Sequence, residues 1–392
     1  MMLLTHIIIH YDEITLKGGN RPFFERVLLN NIKEFLKNIK YDKIYKDGGK
    51  FVIDISKTDS KTGTQNIEKI LKNIPGISNF CFAISVEKDI KMIGEETVKA
   101  VRSYLEKNKV ETFKIEARRS DKEFEFKSPE INYKIGEAVF ENTELKVDVH
   151  NPELEIIVDV GHRQCFIYFE KIKGIGGLPV NAAGKLVSLL SGGIDSPVAS
   201  YMMMKRGARI IFVHFKNKTI NNTGDDKIKS LVKELSRFQG NSKLYIIPFE
   251  EFQKEIIAKI PSKNRMIVYR RVMFKLAEMI AKKEKAKGFV TGDSLSQVAS
   301  QTLDNIGVIY NSVNLPIFSP LIGMNKQEII DLALKIRTYE TSIIPYQDCC
   351  SFLIAKHPET KARLEDILKQ EENLEISKIA ERIIIKIRSE VI

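Results

Sequence analysis

The second half of the chain alternates short apolar runs with longer helical patterns, and this alternation limits the fold more than any other feature. The runs are almost continuously apolar, and they are KLVSLL, RIIFVHF, KLYIIPF, KGFVTGD and NLPIFSP. Strands of this kind are typical of parallel sheets that are covered by helices on both faces. Because parallel neighbours need crossover helices, the pattern predicts a doubly wound α/β domain.

The first half shows a different, α+β pattern in two units. HIIIHYDEITL predicts a strand, GGNRPFFERVLLNNIKEFLKNI a helix and DGGKFVIDIS a second strand, and this first unit, residues 1–76, ends at Pro75-Gly76. The second unit, residues 77–172, has strands in ISNFCFAISVE and TFKIEARRS, and a helix in SPEINYKIGEAVFEN with Ser128 as N-cap and Pro129 first. A hairpin turns through Gly161-His162 and buries Cys165.

A glycine-rich, basic stretch, residues 171–185, predicts a linker to the third unit, residues 173–392. The tail from His357 onward is predicted to be helical and charged. The sequence therefore predicts a multidomain protein in which α+β units precede the parallel-sheet domain.

Composition narrows the class of partner. A net charge of +11 favours a polyanionic partner, and nucleic acid is the first candidate. The alternative is a charged surface of the thermophile type, without such a partner. The four cysteines are scattered and form neither a disulfide framework nor a C-x-x-C metal site. The start has no basic region or cleavage site of a signal peptide, and no apolar run reaches the ~18 residues of a membrane span. We therefore expect a cytoplasmic protein without a membrane partner.

The stretch LLSGGIDSPVAS, which follows the first strand of the predicted parallel sheet, predicts an anion-binding loop. Gly192 and Gly193 permit a tight turn, and the next helix directs the partial positive charge of its N-terminus at the loop. Ser196 is predicted as the N-cap of that helix, with Pro197 following it. An aspartate beside a phosphate needs a cation between them, so Asp195 predicts a Mg²⁺ ion bound jointly with phosphate oxygens. The alternative is a tight strand-to-helix turn in which the aspartate only assists the cap.

SGGIDSP resembles the PP-loop of the ATP-pyrophosphatase superfamily, which cleaves ATP between its α and β phosphates. The likeness extends over nearly the whole chain: YDEITLKGGNRPFFE, FKIEARRS, SPEINYKIGEAVFEN, VDVHNP, EKIKGIGGLPV, TGDSLSQVASQTLDN and PYQDCCSFLIAKHP resemble segments of the tRNA 4-thiouridine synthetase family. That resemblance implies a ferredoxin-like domain, a THUMP RNA-binding domain and a PP-loop domain. It also implies that ATP activates the uridine at position eight of tRNA, whose O4 is then replaced by sulfur.

The resemblance implies roles for several residues. Asp195 is expected to act in catalysis with Mg²⁺, and Cys349 in PYQDCCSF is expected to be the catalytic cysteine, with Cys350 as the runner-up. The residues expected to contact ATP are Leu189, Leu190, Ser191, Gly192, Gly193, Ser196, His214, Phe215, Arg270 or Arg271, Gly292, Gln297 and Gln301. For one of the two arginines the alternative is a surface charge. For the lone His214 the alternative is a structural role.

The expected partners also follow from the resemblance. Candidate RNA-binding residues are Lys17, Arg118, Arg119, Lys127, Lys171 and Lys173. A cysteine desulfurase or another persulfide donor supplies the sulfur, and a homodimer holds the acceptor end on one chain while the other modifies the base. The sequence ends at Ile392 without the rhodanese domain of many members, so we expect the shorter form. A role in thiamine thiazole synthesis, which accompanies that domain, is left open.

Two other functions fit parts of the sequence. One is an adenylating ligase or amidotransferase for a small molecule, against which Cys349 and the RNA-binding region argue. The other is an RNA-binding protein that only senses ATP, against which Ser191, Asp195 and Ser196 argue.

Overall fold

The computed structural model describes residues 4–58, 61–216, 223–345 and 355–392. The chain forms two compact units, Met1–Gly177 and Leu178–Ile392. No helix in the described ranges combines the length and the apolar character that a membrane crossing requires.

The first unit contains one mixed sheet with helices beside it. Its strands are β1 (His6–His10), β2 (Lys43–Asp47), β3 (Lys50–Asp54), β4 (Asn79–Val86), β5 (Thr112–Arg119), β6 (Lys146–Val147), β7 (Leu154–Val160), β8 (Cys165–Tyr168) and β9 (Ile172–Lys173). Its helices are α1 (Arg21–Phe35), α2 (Lys61–Leu71), α3 (Ile90–Leu105) and α4 (Ser128–Asn142), with a 3₁₀ segment at Glu13–Asn20. The strand order is β2-β3-β1-β4-β8-β7-β5-β6, and β9 pairs with β4.

Strand β4 joins the two halves of this sheet. Its first part pairs with β1, and its last residues, Ile84 to Val86, pair with β8. Phe80 packs in the core beside α1 and α2, and Val86 packs in the core beside α3 and α4. Because side chains alternate along a strand, Cys81 lies on the opposite face, in a smaller apolar cluster. The predicted boundary at residue 76 therefore precedes a strand that serves both halves, and that boundary remains a prediction.

Several details of the first unit differ from the sequence-based expectation. The predicted first strand is too long, since Glu13–Asn20 forms a 3₁₀ helix, and β2 was not predicted. The N-cap of α4 is Lys127 rather than Ser128, a shift of one residue. Part of the predicted linker is β9. The predicted hairpin is confirmed by the pairing of β7 with β8, and Cys165 is fully buried.

The second unit is a six-stranded sheet with helices around it. Its strands are β10 (Lys185–Leu189), β11 (Arg209–Lys216), β12 (Lys243–Pro248), β13 (Phe289–Val290), β14 (Ile317–Phe318) and β15 (Arg388–Val391). Its helices are α5 (Asp195–Lys205), α6 (Thr223–Gln239), α7 (Glu250–Lys259), α8 (Arg265–Glu284), α9 (Leu303–Tyr310), α10 (Lys326–Lys335), α11 (Tyr339–Ile343), α12 (Leu364–Glu372) and α13 (Ile376–Ile384), with 3₁₀ segments at Ser262–Asn264 and Ala299–Gln301.

The order of these strands is β14-β13-β10-β11-β12-β15, and the first five run parallel. From β10 the chain builds outward through β11 and β12, and then crosses to β13 and β14 on the other side. The order therefore reverses between β10 and β13, and ligands bind in the crevice at such a point. The predicted doubly wound sheet is confirmed.

The expectation of an entirely helical tail is wrong, because β15 adds to β12 as an antiparallel edge strand. Its sequence, RSEV, carries charged residues, which are common on exposed sheet edges and obscure the strand pattern.

Candidate active site

A cavity of about 320 Å³ lies at the carboxyl ends of β10, β11 and β13. Cavities of roughly 300–1,000 Å³ are typical of small-molecule sites. Asp195 lines it, as do most of the residues predicted to contact ATP: Leu189, Leu190, Ser191, Ser196, His214, Phe215, Arg270, Gly292 and Gln301. Its other lining residues are Met273, Phe274, Thr291, Asp293, Val298 and Ser300. The strand ends thus bring together residues that are separated by more than a hundred positions in sequence, from Leu189 to Gln301.

The loop between β10 and α5 is held by two serines. The Ser196 hydroxyl accepts a hydrogen bond from the Ser191 backbone N–H at 2.9 Å, and the Ser191 hydroxyl accepts one from Gly193 N–H at 3.2 Å. The prediction of Ser196 as N-cap is wrong: α5 begins at Asp195, and Ser196 turns back to the loop. Ser196 therefore shapes the loop, and the helix N-terminus still points at the cavity.

Gly292 is needed for the close approach of the β13 end to this loop. A Cβ atom at this position would lie 2.7 Å from the Ser196 backbone nitrogen and 2.8 Å from the Asp195 carbonyl carbon. Such distances are shorter than van der Waals contact, and the atoms concerned belong to backbone that has little freedom to move. The role of Gly292 is thus to let two backbone segments meet at the cavity.

Asp195 stands at the start of α5 with both carboxylate oxygens hydrogen-bonded. Lys326 Nζ lies 2.6 Å from Oδ1, and Gln297 Nε2 lies 3.0 Å from Oδ2. Sequence reasoning missed Lys326. A lysine in the first turn of a helix such as α10 is disfavoured by the helix dipole, which is a signal that it has a partner elsewhere.

The residues of the cavity could hold a Mg²⁺ ion only together with a bound nucleotide. Within the described ranges, no group of three or more His, Cys, Asp or Glu side chains is placed to hold a metal ion. Mg²⁺ bound with nucleotides usually takes one or two carboxylates, phosphate oxygens and water. Asp195 at the cavity can supply that carboxylate.

Asp293 forms the polar centre of the opposite wall and was also missed. Its carboxylate accepts hydrogen bonds from Arg270 Nη2 at 2.8 and 2.6 Å, from Gln301 at 3.0 Å and from the Tyr310 hydroxyl at 2.7 Å. Burial acts to raise the pKa of this carboxyl, but the Arg270 guanidinium and the hydrogen bonds outweigh it and hold the pKa below its usual value. Asp293 is therefore an anion that fixes Arg270 and Gln301 in the cavity wall.

His214 has a structural role in addition to lining the cavity, and three other predicted contacts do not line it. His214 is buried and donates from Nδ1 to the Leu190 carbonyl at 2.9 Å, which joins the ends of β11 and β10. Gly192 and Gly193 are not among the residues that line the cavity, and Gln297 reaches it through Asp195.

The two adjacent arginines have different roles. Arg270 lines the cavity. Arg271 is 1% exposed, and its Nε lies 2.8 Å from Glu371 Oε1. The expectation of a surface charge for one of them is wrong, because neither is on the surface.

The predicted catalytic Cys349 and its neighbour Cys350 lie outside the described residues. The free cysteines within them, Cys81 and Cys165, are buried, and burial raises the pKa of each thiol to about 12. A thiol with such a pKa is unreactive near neutral pH. Neither cysteine is a competing candidate for sulfur chemistry.

The six predicted RNA-binding residues lie at separate places in the first unit. The Lys17 ammonium is 5.3 Å from the Phe24 ring, at the entry to α1. Arg118 pairs with Glu116, and Arg119 donates to the carbonyls of Asp121 at 3.3 Å and Lys122 at 2.7 Å.

The three lysines are less constrained. The Lys127 backbone N–H donates to Glu130 at the start of α4. Lys171 lies 3.6 Å from Glu155, and Lys173 is exposed in β9. The two arginines are thus partly used inside the protein, whereas Lys173 projects to solvent.

The fold and the cavity together define a PP-loop nucleotide-binding domain that follows a ferredoxin-like and THUMP region. Family models match in the same order: a ThiI ferredoxin-like domain over residues 6–81, a THUMP domain over 87–170 and the thiamine biosynthesis protein (ThiI) over 181–376. A probable tRNA sulfurtransferase of Thermoanaerobacter sp. (strain X514) is 41% identical over 374 residues, 95% of this chain and 96% of that protein. The chain belongs to the ThiI family of tRNA sulfurtransferases.

Further relatives agree. A probable tRNA sulfurtransferase of Finegoldia magna is 38% identical over 98% of this chain and 97% of its own length. A crystal structure of a 4-thiouridine synthetase–RNA complex with bound ATP superposes with a TM-score of 0.89 at 36% identity and covers both chains completely. PH1313 from Pyrococcus horikoshii, with a TM-score of 0.66 at 24% identity over 85% of this chain and 99% of its own, shares the fold.

Proposed function

We propose that this protein is an ATP-dependent tRNA sulfurtransferase, which adenylates the uridine at position eight of tRNA and replaces its O4 with sulfur. The observation that carries the proposal is the cavity at the switch point, which Ser191, Asp195 and Ser196 of the SGGIDSP loop line together with Arg270, while Lys326 pairs with Asp195. Support comes from relatives of nearly equal length that are named tRNA sulfurtransferases, and from the structural relative that holds RNA and ATP.

The proposed chemistry has two steps. A carbonyl oxygen is a poor leaving group, so the uridine O4 first attacks the α-phosphate of ATP and pyrophosphate leaves. A sulfur nucleophile then attacks C4, and the oxygen departs with AMP. The residues are proposed to act on the charge that develops. Arg270 and Lys326 would stabilise the phosphates, and the N-terminus of α5 would add its partial charge. Mg²⁺, held by Asp195 and the phosphates, would neutralise charge on pyrophosphate.

Cys349 is proposed to accept sulfur from a persulfide donor such as a cysteine desulfurase. Its thiolate attacks the outer sulfur of the donor persulfide, which leaves a persulfide on Cys349 and a thiol on the donor. The outer sulfur of the Cys349 persulfide then attacks C4 as AMP leaves. An external thiol, the reductant, attacks Cys349 Sγ, so that the outer sulfur stays on C4 and Cys349 is left in a disulfide with that thiol, which a second thiol reduces. Residues 1–76 and 77–172 are proposed to hold the tRNA through Lys17, Arg118, Arg119, Lys127, Lys171 and Lys173. A homodimer in the cytoplasm is proposed as the working form, because the acceptor end and the modified uridine lie far apart in a tRNA.

The test is direct. Unmodified tRNA, ATP with Mg²⁺, a thiol reductant and a sulfide or persulfide source are incubated with the protein, and 4-thiouridine is followed by its near-ultraviolet absorbance. We expect the thionucleoside to appear with both donors. Its absence with every donor would reject the proposal.

Two variants test which residue serves sulfur transfer and which serves adenylation. Cys349→Ser is expected to abolish transfer from a persulfide while tRNA binding is retained, and full activity would remove Cys349 from the mechanism. Asp195→Ala is expected to lose AMP formation, and unchanged adenylation would remove the proposed metal role.

A further inference from the structure

The second unit has a charged groove of about 400 Å³ that is separate from the nucleotide cavity. It lies between the 3₁₀ segment Ser262–Asn264 and the chain that runs from Glu359 into α12. Its charged lining residues are four cations and two carboxylates, namely Lys263, Lys361, Arg363, Lys369, Glu359 and Asp366. None of the six lines the nucleotide cavity, so adenylation does not account for the excess of positive charge in this groove.

The two walls of the groove are bonded to each other. The Glu359 backbone N–H donates to the Lys263 carbonyl at 3.0 Å, and Lys263 Nζ lies 3.0 Å from Glu359 Oε2. Asn264, which is only 5% exposed, donates from Nδ2 to Gln370 Oε1 at 3.1 Å. Within the described ranges, Asn264 Oδ1 has no hydrogen-bond partner. The groove is therefore shaped before a ligand arrives, and one buried acceptor in its lining lacks a donor.

Three of the four cations are free to bind a ligand. Lys361, Arg363 and Lys369 are exposed, and their side chains form no ion pair with any residue that the structure describes. One of the two carboxylates, Glu359, is already paired with Lys263. Three unpaired cations around one groove create a positive potential that attracts an anion, and the Arg363 guanidinium can bind a phosphate through two hydrogen bonds.

The groove is joined directly to the wall of the nucleotide cavity. Asn305 in α9 is completely buried, and its Nδ2 donates both to the Glu359 carbonyl at 2.8 Å and to the Ala299 carbonyl at 2.7 Å. Ala299 begins the 3₁₀ segment whose Ser300 and Gln301 line the cavity. Because one amide nitrogen bonds to the chain of both sites, the groove lies next to the cavity wall.

We propose that this groove is an additional RNA-binding surface, which holds the ribose–phosphate backbone next to the target uridine while the base reacts at the nucleotide cavity. An RNA backbone carries a negative charge at each phosphate and a hydroxyl donor at each ribose, and it continues on both sides of the reacting base. The basic residues expected from the sequence to bind RNA all lie in the first unit, so this surface is distinct from them. The inference rests on the proposed function, because it assumes that a uridine of tRNA enters the cavity.

The test compares two triple variants of equal charge. The groove variant combines Lys361→Gln, Arg363→Gln and Lys369→Gln. The control combines Lys233→Gln, Lys287→Gln and Lys335→Gln, which are exposed lysines elsewhere in the same unit. Both variants lose three positive charges, and none of the six positions lines the nucleotide cavity. A difference between them therefore reports on the position of the charges rather than on net charge.

For the groove variant we expect Kd for unmodified tRNA to rise about tenfold or more near 0.1 M salt. The slope of log Kd against log salt should fall by about two to three, since each lost phosphate contact removes about 0.7–0.9. The control should change Kd by no more than about threefold, and the slope by less than about one. Kd for ATP should be unchanged in both. In hydroxyl-radical footprinting, only the groove variant should lose protection of the tRNA backbone beside the target uridine.

Equal Kd values and salt slopes in the two triple variants would overturn the proposal, as would full protection beside the target uridine in the groove variant. Unchanged tRNA binding, with slower transfer only from a protein persulfide donor, would assign the groove to an acidic protein and would also overturn it. If the groove variant has a lowered melting temperature, Arg363→Gln alone decides, with an expected slope change of about one relative to Lys287→Gln.

Failure of the proposed function gives a different result. A wild-type protein that binds tRNA but forms no 4-thiouridine with any donor would reject the sulfurtransferase activity. The Kd values and the footprint of the two triple variants still decide in that case whether the groove holds RNA.

Discussion

The nucleotide cavity of the second unit and the basic residues of the first unit differ in how closely their parts are brought together. In the second unit, residues from β10, β11, β13 and α8 meet at one cavity, and their charged groups form a bonded network around Asp195 and Asp293. In the first unit, the six basic candidates lie at the entry of α1, the end of β5, the start of α4 and β9. They are spread over its elements.

The difference follows from what each site binds. A small, charged nucleotide needs several groups within hydrogen-bond reach of the same atoms, and the carboxyl ends of parallel strands provide that. A folded RNA is contacted along its backbone over a large surface, where each cation adds a small increment. Single substitutions are therefore expected to have large effects in the second unit and small ones in the first.

The largest effect is expected from Arg270→Met. It removes a cation from the cavity and leaves the Asp293 carboxylate buried without its guanidinium partner. Adenylation is expected to fall by more than about 100-fold, since a preorganised charge at a transition state contributes about 3 kcal/mol or more. The measurement is pyrophosphate release, with Lys282→Met, an exposed position of the same helix, as control. Adenylation within a few fold of wild type would contradict the assigned role.

Gly292→Ala is expected to have the next largest effect. The added methyl group would meet the backbone of Asp195 and Ser196, so the loop must shift. We expect kcat/KM for ATP to fall about tenfold and stability to drop by about 1–3 kcal/mol, the usual cost of overpacking. Gly307→Ala in α9 is the control, because its Cβ would have no neighbour within 4 Å. Equal effects at the two glycines would argue against a special packing role for Gly292.

One carboxylate in each unit shows how much a paired carboxylate contributes to the free energy of unfolding. Glu284 has a pKa of about 2, because its bonds to Lys243, Tyr245 and Lys185 outweigh the effect of burial, which acts to raise it. The pKa of Glu155 is also about 2, chiefly through the hydrogen bond from Lys114. The side chain of Glu284 is 9% exposed and that of Glu155 is 32% exposed, so solvent screens Glu155 more.

Glu284→Gln is therefore expected to cost up to about 3 kcal/mol in the free energy of unfolding at pH 7. A lowered carboxyl pKa stabilises the fold fully above the unfolded value of 4.5, and the contribution is lost as pH falls toward 2. The difference between Glu284→Gln and wild type should thus shrink on acidification in urea unfolding experiments. Glu155→Gln should cost less. A larger cost at Glu155, or a difference that grows in acid, would contradict this comparison.

The smallest effect is expected from Lys173→Ala. This exposed lysine of β9 is proposed to contact one phosphate of the tRNA. Its loss should weaken tRNA binding only a few fold and reduce the slope of log Kd against log salt by about one. Binding is measured by filter retention over a range of salt, and adenylation at saturating tRNA should not change. An unchanged salt slope would remove Lys173 from the interface.

The sequence predicted most of the second unit because its signals are local. Each of the strands β10 to β14 is an apolar run, and the sheet topology then brings Leu189, His214 and Gly292 to one edge. Lys326 was missed because it meets Asp195 from 131 positions away, and no local pattern encodes that pairing. Asp293 was missed because its role depends on bonds from Arg270, Gln301 and Tyr310, which lie in other elements and are not encoded by the local pattern.

The first unit was less predictable for physical reasons. β2 has the sequence KIYKD, whose charged residues hide its strand pattern. β4 pairs with strands of both halves of the sheet, so no change in composition marks a domain boundary there. The roles of Arg118 and Arg119 depend on neighbours such as Glu116, which a motif does not reveal.

The proposed function depends on attack of the uridine oxygen on the α-phosphate of ATP at this cavity. The most direct test uses tRNA that carries ¹⁸O at O4 of the target uridine, with mass spectrometry of the products after thiolation. The account predicts one ¹⁸O atom in the phosphate of AMP for each 4-thiouridine formed, and none in pyrophosphate. Label that appears in pyrophosphate or in water, with unlabelled AMP, would contradict it.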